Sequence, residues 1–553
     1  MDVSQRRLNQ VLSLGIGLVT VFITPWFSYD PLNVSRMLLL VILASVAFFL
    51  IIPQLKFIKA ESYRVLLMLL ILFCFQMILV LAVAPGDKWQ QLFGAGGRQT
   101  GFLTYLSLVV LTLSAALSSS NFLNQKVSKA LIGAGSVSIL YGLIQSAGLD
   151  PIGWTNPYSP VFGFFGNPNF QASFLGFSAA AVTVFLLSGG TKILWRVLSG
   201  LFVILSLYVI YESKSQQGFL VYGIGASVAV IILFFKTKIL YKFRFLVLGG
   251  GVVGFIGVLL DILQKSPWNS ILYKPSVSFR GDYWRAGWKM ATEHPVFGVG
   301  LDSYRDWYYR SRDLVTASRP ESSNYTDSAH NVFLDFSANG GLPLLLIYLA
   351  LVILTAISAM KVLKRMQGFD AFFLAVFIVW IGYMAQSLIS INQIGLAVWG
   401  WLTSGLIIGY EIKTRSAFEV NAKDQTKSRK SQQDAGVSLR IGAGLVVGLA
   451  LGLPAFLSDA SFRSSIDSRN IERITATADR WPQDVIRMNY ISRLFLQNNL
   501  PEKALEIARK SVVVAPDNFQ AWKILYELPT VPASEKVQAL EMMKKLNPLA
   551  TDF

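Results

Sequence analysis

The stretch TDSAHNVFLDFSANGGLP, residues 326–343, holds His330, one of only two histidines in 553 residues. It lies between Asp327 and Asn331, where a polar loop enters an apolar run that breaks at Gly340, Gly341, Leu342 and Pro343. A neutral imidazole takes up a proton near pH 7, and Asn331 and Asp327 are both close enough in sequence to orient it. The bland alternative is a residue that caps a helix at the bilayer interface. Upstream lies SFRGDYWRAGWKMATEHPVFGVGLDSYRDWYYRSRDLV, which is rich in Arg, Trp and Tyr. Arginine suits bidentate recognition of phosphate, while aromatic rings stack on sugar faces or sit at the membrane interface. An aromatic belt explains the rings but not several arginines joined to a histidine at a helix mouth. Arg280 stands just before a helical pattern that puts Trp284 and Trp288 on one face. The glycines of VFGVGLDSY permit a tight turn, but the lysine and the strand–helix context of a nucleotide loop are missing. His294, before Pro295, reads as a turn residue.

These residues are embedded in an apolar chain. Hydrophobic residues make up 53% and charged residues only 15%, too few charges for a soluble protein of this length. About thirteen apolar runs, near 10–27, 35–53, 64–84, 101–119, 128–147, 169–187, 193–211, 217–236, 243–263, 331–360, 370–391, 394–412 and 439–457, are each long enough to cross a bilayer. The expected fold is therefore all-α: a polytopic membrane protein of about 12–13 transmembrane helices over 1–457. Lysine and arginine cluster in alternate loops, ending with the basic segment 413–440, which sets these loops on the cytoplasmic side. The large loop 264–330 and the tail 458–553 then face outward. The net charge of +17 is scattered over short inner loops that face anionic lipid, so nucleic acid is not an expected partner. The first apolar run lacks a signal-peptide cleavage pattern, and the single cysteine, Cys74, lies inside a span.

The tail reads as a separate small unit of amphipathic helices. Pro482, Pro516 and Pro548 recur at about 34 and 32 residues, near the tetratricopeptide period. Such helices either form a simple cap or offer a docking surface to a protein partner.

Three segments together bear a resemblance. GFFGNPNFQASFLGFS, FRGDYWRAGWKMATEHPVFGVGLDSY and AHNVFLDFSANGGLPLLL are similar, in order and spacing, to the O-antigen ligase and polymerase superfamily over roughly 90–412. The resemblance implies a C-type glycosyltransferase of the bacterial cytoplasmic membrane, working at its outer face on a polyprenyl-diphosphate-linked glycan without a metal or other cofactor. The acceptor it implies is a lipid, another glycan or a protein hydroxyl. It places the loop arginine of the family on Arg280, at the donor diphosphate, and its acceptor-side histidine on His330. The chemistry fits: the acceptor hydroxyl must lose a proton, and fixed cations stabilise the leaving diphosphate.

The sequence also departs from the family pattern. Where many ligases carry a second arginine in a turn before a span, YESKSQQGFLVY has Gln216, with Lys214 two residues earlier. Lys214 supplies charge as a flexible point rather than a planar fork. Arg98, in FGAGGRQTGF, is a substitute on the expected outer side, or else a snorkelling interface residue. Asn339 stands where the family often has Glu. In GNPNFQA, Asn167 and Asn169 either cap the following helix or bind glycan and diphosphate oxygens. Two other functions compete: a protein O-oligosaccharyltransferase of the same superfamily, and a lipid-linked glycan transporter. A transporter calls for ionisable residues near the bilayer midplane, and the spans here are nearly free of charge. A scaffold acting only through its tail leaves the arginine and histidine constellation unexplained.

Overall fold

The computed structural model describes residues 3–59, 61–154, 159–237, 240–262, 275–318, 325–419 and 435–550. Tyr158, two parts of the large loop and most of the basic segment 413–440 lie outside the described residues. The described residues form helices and no strands. Ten helices precede the large loop: α1 (Val3–Val21), α2 (Asn33–Ile51), α3 (Arg64–Val83), α4 (Lys88–Phe93), α5 (Phe102–Ser118), α6 (Asn121–Ser146), α7 (Pro168–Leu187), α8 (Ile193–Glu212), α9 (Gln216–Lys236) and α10 (Arg244–Ile262). The loop carries α11 (Pro275–Glu293), α12 (Tyr304–Ser311) and α13 (Leu314–Ala317). Four long helices follow, α14 (Val332–Arg365), α15 (Ala371–Ser387), α16 (Ile394–Glu419) and α17 (Ala435–Ser468). The tail comprises α18 (Ile471–Ala478), α19 (Val485–Gln497), α20 (Pro501–Val514), α21 (Phe519–Glu527) and α22 (Ala533–Leu546). Each of the apolar runs is carried by a helix, and eight helices among the described residues are long and apolar enough to cross a membrane. The chain is a multi-pass, all-α membrane protein.

Between lipid-facing helices there is little hydrophobic drive, so close backbone contact through small residues holds them together. On α17, Gly444, Gly448 and Gly452 recur every fourth residue and lie directly against α2. A Cβ on Gly448 would stand 2.6 Å from the Ile42 Cα, and one on Gly444 2.5 Å from the Val46 Cα. The facing pairs 444–46, 448–42 and 452–38 show that the two helices run antiparallel. Helices α7 and α9 approach the same way, with Gly176 against the Gly218 carbonyl, and both start at the same end of the bundle.

That end carries the loop layer. Helix α14 starts there and is interrupted at Gly341, whose φ of 78° and ψ of 172° only glycine adopts easily. The break frees backbone groups, and the 295–300 turn takes them up. Val299 N–H donates to the Ala338 carbonyl (2.8 Å), and Leu342 N–H donates to the Pro295 carbonyl (2.8 Å). The Gln76 amide reaches the Val296 carbonyl (2.7 Å) and the Gly340 carbonyl (3.0 Å) from α3. Asn339, the residue in place of glutamate, accepts from Ser303 N–H at 3.1 Å and so ties the broken turn to the loop layer.

The tail helices pack as successive antiparallel pairs, yet their core does not stop at the tail. Met488, Ile491, Phe519 and Trp522 share one hydrophobic cluster with Met290, Tyr304, Tyr308 and Tyr309 of the loop layer. Near the membrane side Trp481 meets Trp89 and Phe93 edge-on, with ring centroids 5.3 and 5.6 Å apart. The helical unit read in the sequence is thus docked on the bundle, and one of its faces is used in doing so.

The glycine contact yields a direct test. Gly448→Val must push α17 from α2 or force strained rotamers, at a cost of about 1–3 kcal/mol. The expected outcome is a lower thermal midpoint in detergent, with no change for Val446→Leu on the exposed face of α17.

Candidate active site

Arg98 sits in the turn between α4 and α5, where Gly94 and Gly97 have φ of 96° and 83°. Asp302 fastens this turn: its carboxylate accepts from Ala95 N–H (2.7 Å), Thr100 N–H (3.2 Å) and the Thr100 hydroxyl (2.9 Å). The Asn33 amide donates to the Gly97 carbonyl at 2.7 Å from the start of α2. A loop of glycines is thereby given one shape, and Arg98 is projected toward Asp327.

The guanidinium of Arg98 grips Asp327 with two donors, Nε to Oδ2 at 2.7 Å and Nη2 to Oδ1. Arg305 of α12 adds a third bond, Nη2 to Oδ2 at 3.2 Å. Burial pushes the Asp327 carboxyl up, but Arg98 and Arg305 outweigh it and hold the group well below the usual carboxylate range. Asp327 therefore stays ionised and engaged with two cations, which disqualifies it as a proton acceptor.

His330 has a left-handed backbone, φ 52°, fixed on both sides. Its N–H donates to the Ser328 hydroxyl (2.9 Å), and the neighbouring Ala329 N–H donates to Asp335 (2.7 Å). The imidazole stacks on Tyr283 of α11, with centroids 5.5 Å apart and planes 29° apart. Burial and the positive charges of Arg98 and Arg280 push its pKa down to about 4, with Asp327 opposing. Near pH 7 the ring is neutral and able to accept a proton. Arg280, three residues before Tyr283, forms no ion pair with any described carboxylate, and burial lowers its pKa. Arg98 and Arg280 thus act directly on His330, while Arg98 and Arg305 share Asp327, an environment that favours an anion.

Residues 201–349 match the family described as O-antigen ligase. The chain carries an O-antigen ligase family segment. No curated protein matches the chain. The family is of the glycosyltransferase type, acting on glycans at the membrane. The ligase segment contains Lys214, Gln216, Arg280, Arg305, Asp327, His330 and Asn331, whereas Arg98, Asn167, Asn169 and the tail lie outside it.

Several expected roles shift once the ligase segment is seen folded. Asn331 does not orient the imidazole. Its Oδ1 accepts from Phe333 N–H (3.0 Å) and Leu334 N–H (3.1 Å), capping α14, and its Nδ2 donates to the Leu388 carbonyl (3.0 Å). Asp327 makes no hydrogen bond to the ring either and acts on it only through charge. Tyr283 holds the ring instead. Asn167 caps α7 by accepting from Asn169 N–H (2.8 Å), and Asn169 accepts from the Ser215 hydroxyl (2.7 Å). Asn169 thereby ties the start of α7 to the turn that carries Lys214 (φ 58°) and Gln216. The Lys214 ammonium lies 4.8 Å above the Tyr211 ring. This second polar cluster shares the active-site end of the bundle, but the charges acting on His330 are those of Arg98, Asp327 and Arg280. His294 sets its ring edge-on to Trp307 at 4.6 Å, as a turn residue would.

Arg305 and Tyr283 are the site residues that sequence patterns do not single out, because each is one of many arginines and tyrosines in an aromatic loop. The tail holds Arg305 in place indirectly. Asp306, its neighbour, accepts from Gln90 (2.9 Å) and from Asn518 of the tail (2.7 Å). Arg310 pairs with Asp517 at 3.2 Å, and Arg312 donates to Asn547 at 3.0 Å.

Replacing Asp327 with Asn leaves Arg98 and Arg305 without their countercharge. Breaking such a partly buried pair costs about 3–5 kcal/mol. Thermal unfolding of Asp327→Asn in detergent should show a marked loss, with Asp327→Glu intermediate. An unchanged midpoint would show that Asp327 does not organise the site.

Proposed function

We propose that the protein transfers or polymerises a glycan carried on a polyprenyl diphosphate, at the outer face of the bacterial cytoplasmic membrane. The observation that carries this reading is a neutral histidine beside two guanidiniums, Arg98 and Arg280, at one end of a membrane bundle. Arg280, which has no described countercharge, takes the donor diphosphate, and the unengaged edges of Arg98 and Arg305 add positive field. His330 accepts the proton of the acceptor hydroxyl as that oxygen attacks the anomeric carbon. The bond from that carbon to the diphosphate oxygen breaks, and the electron pair leaves with the polyprenyl diphosphate, whose growing charge the arginines stabilise. One displacement of this kind inverts the anomeric centre. Lys214 and Gln216, backed by Asn167 and Asn169, supply a further polar surface along the donor. Asn331 contributes by fixing the start of α14. The acceptor is a glycan, lipid or protein hydroxyl, and residues of the outer loops select it. The tail holds α12 against the site and leaves its remaining surface for a protein partner.

The roles of the two central residues separate in kinetics. His330→Ala should lower transfer from a polyprenyl-diphosphate glycan by about 10²-fold or more, as for a lost general base, with donor binding largely kept. Arg280→Lys should weaken donor binding as well as slow transfer, because a fork becomes a point charge. A well-inserted His330→Ala protein that transfers glycan at the unaltered rate would reduce His330 to a turn residue.

The outward orientation has its own test. With Cys74→Ala as background, a cysteine introduced as Val513→Cys, at a position 80% exposed on the tail, should react with an impermeant thiol reagent in intact cells. Labelling only after lysis would place the site in the cytoplasm and defeat the mechanism.

A further inference from the structure

At the opposite end of the bundle, about 30 Å beyond the Gly341 break at 1.5 Å per residue, lies a cavity that the transfer reaction does not use. Its volume is about 410 Å³, and it opens between the start of α3, the last turns of α14 and the middle of α16. Its chemistry changes in one direction on all three helices. Along α14 the lining passes from Leu354 through Ile357 and Ser358 to Lys361. Along α16 it passes from Ile408 through Ile412 to Arg415. Helix α3 runs the other way, and there the polar residues, Glu61 and Ser62, come before Val65. Apart from Glu411 on α16, the three walls are apolar toward the bundle centre and polar toward its end, the profile of an acyl chain below a headgroup.

The charge at the polar end favours an anion. Lys361 and Arg415 have no hydrogen-bond or ion-pair partner among the described residues. The acid deepest in the wall, Glu411, is already neutralised by Arg365, Nη1 to Oε1 at 3.0 Å, with a second bond from Nη2 to its carbonyl at 3.1 Å. Glu61 at the mouth is then the one uncompensated acid against two free cations in the lining. The apolar wall is open to the side, since Ile357 is 46% and Val65 50% exposed. An occupant can thus enter from the bilayer without leaving it.

We infer that this cavity is a binding site for an anionic glycerophospholipid, its phosphate between Lys361 and Arg415 and one acyl chain along Leu354, Ile357 and Ile408. Basic pockets between spans on the anionic leaflet bind lipid headgroups in this way. The site is independent of the glycan chemistry, so it stands whether or not His330 is the base.

Native mass spectrometry of the full chain, delipidated and then offered defined lipids, tests the inference. Phosphatidylglycerol should be retained in preference to phosphatidylcholine. Lys361→Gln with Arg415→Gln should reduce that preference by about 30-fold, the effect of two basic side chains at a membrane surface. Lys361→Arg with Arg415→Lys should keep it. Ile357→Asn should weaken retention of both lipids at this site, and glycerol 3-phosphate at the same concentration should not compete. Equal retention of the two lipids by the unaltered protein overturns the proposal, whatever the variants do. An unchanged preference in the double Gln protein, or full competition by glycerol 3-phosphate, overturns it as well.

Discussion

The site depends on one partly buried carboxylate shared by two arginines. Asp327 draws Arg98 from the 94–101 turn and Arg305 from α12 to a single point, so two loops remote in sequence become one surface. Without that carboxylate the guanidiniums would repel each other and be stranded away from water, at a cost that partly buried charges incur when unpaired. With it Arg98 is held near His330 and Arg305 beside Arg98, and with Arg280 they leave the local field positive. Burial first, and then the charges of Arg98 and Arg280, keep the imidazole unprotonated. Anion binding and a neutral proton acceptor are thus two results of one arrangement.

The rest of the chain serves to keep that arrangement in register. The break at Gly341 turns the start of α14 into a socket for the 295–300 turn, which leads into α12 and so to Arg305. Asp302, two residues after that turn, fastens the Arg98 loop. The tail closes the layer from above through Asn518, Asp517 and Asn547. A helical extension that could have been only a recruiting arm is in this way part of the scaffold for the site. At the membrane level, Arg36 plays a similar part: its guanidinium donates to the carbonyls of Val19 (3.1 Å), Thr20 (3.1 Å) and Phe164 (2.6 Å), binding α1, α2 and the turn before α7.

What was legible in the sequence follows from the physics of each signal. Spans are legible because a bilayer demands some twenty apolar residues, and every such run became a helix. His330 and Arg280 stand out in the sequence because histidine is rare here and arginine beside aromatic rings is a marked combination. For Asp327 the residue is visible and its role is not: a carboxylate near a histidine reads as an orienting partner, and only the fold shows two arginines claiming it. Asn331 is open to two readings for a similar reason, since capping uses the same side-chain oxygen that would hold the ring. Arg305 and Tyr283 were hidden among similar residues, and the contact between tail and loop layer joins positions some 200 apart, beyond any local pattern.

The central claim is that burial beside Arg98 and Arg280 holds His330 neutral. With only two histidines in the chain, it can be tested by titration of carbon-13-labelled histidine followed by NMR in lipid nanodiscs, with His294→Gln to assign the signals. The account predicts that the His330 signal titrates at about 4, far below an ordinary histidine near 6.5. A midpoint at or above 6.5 in the absence of donor would contradict it.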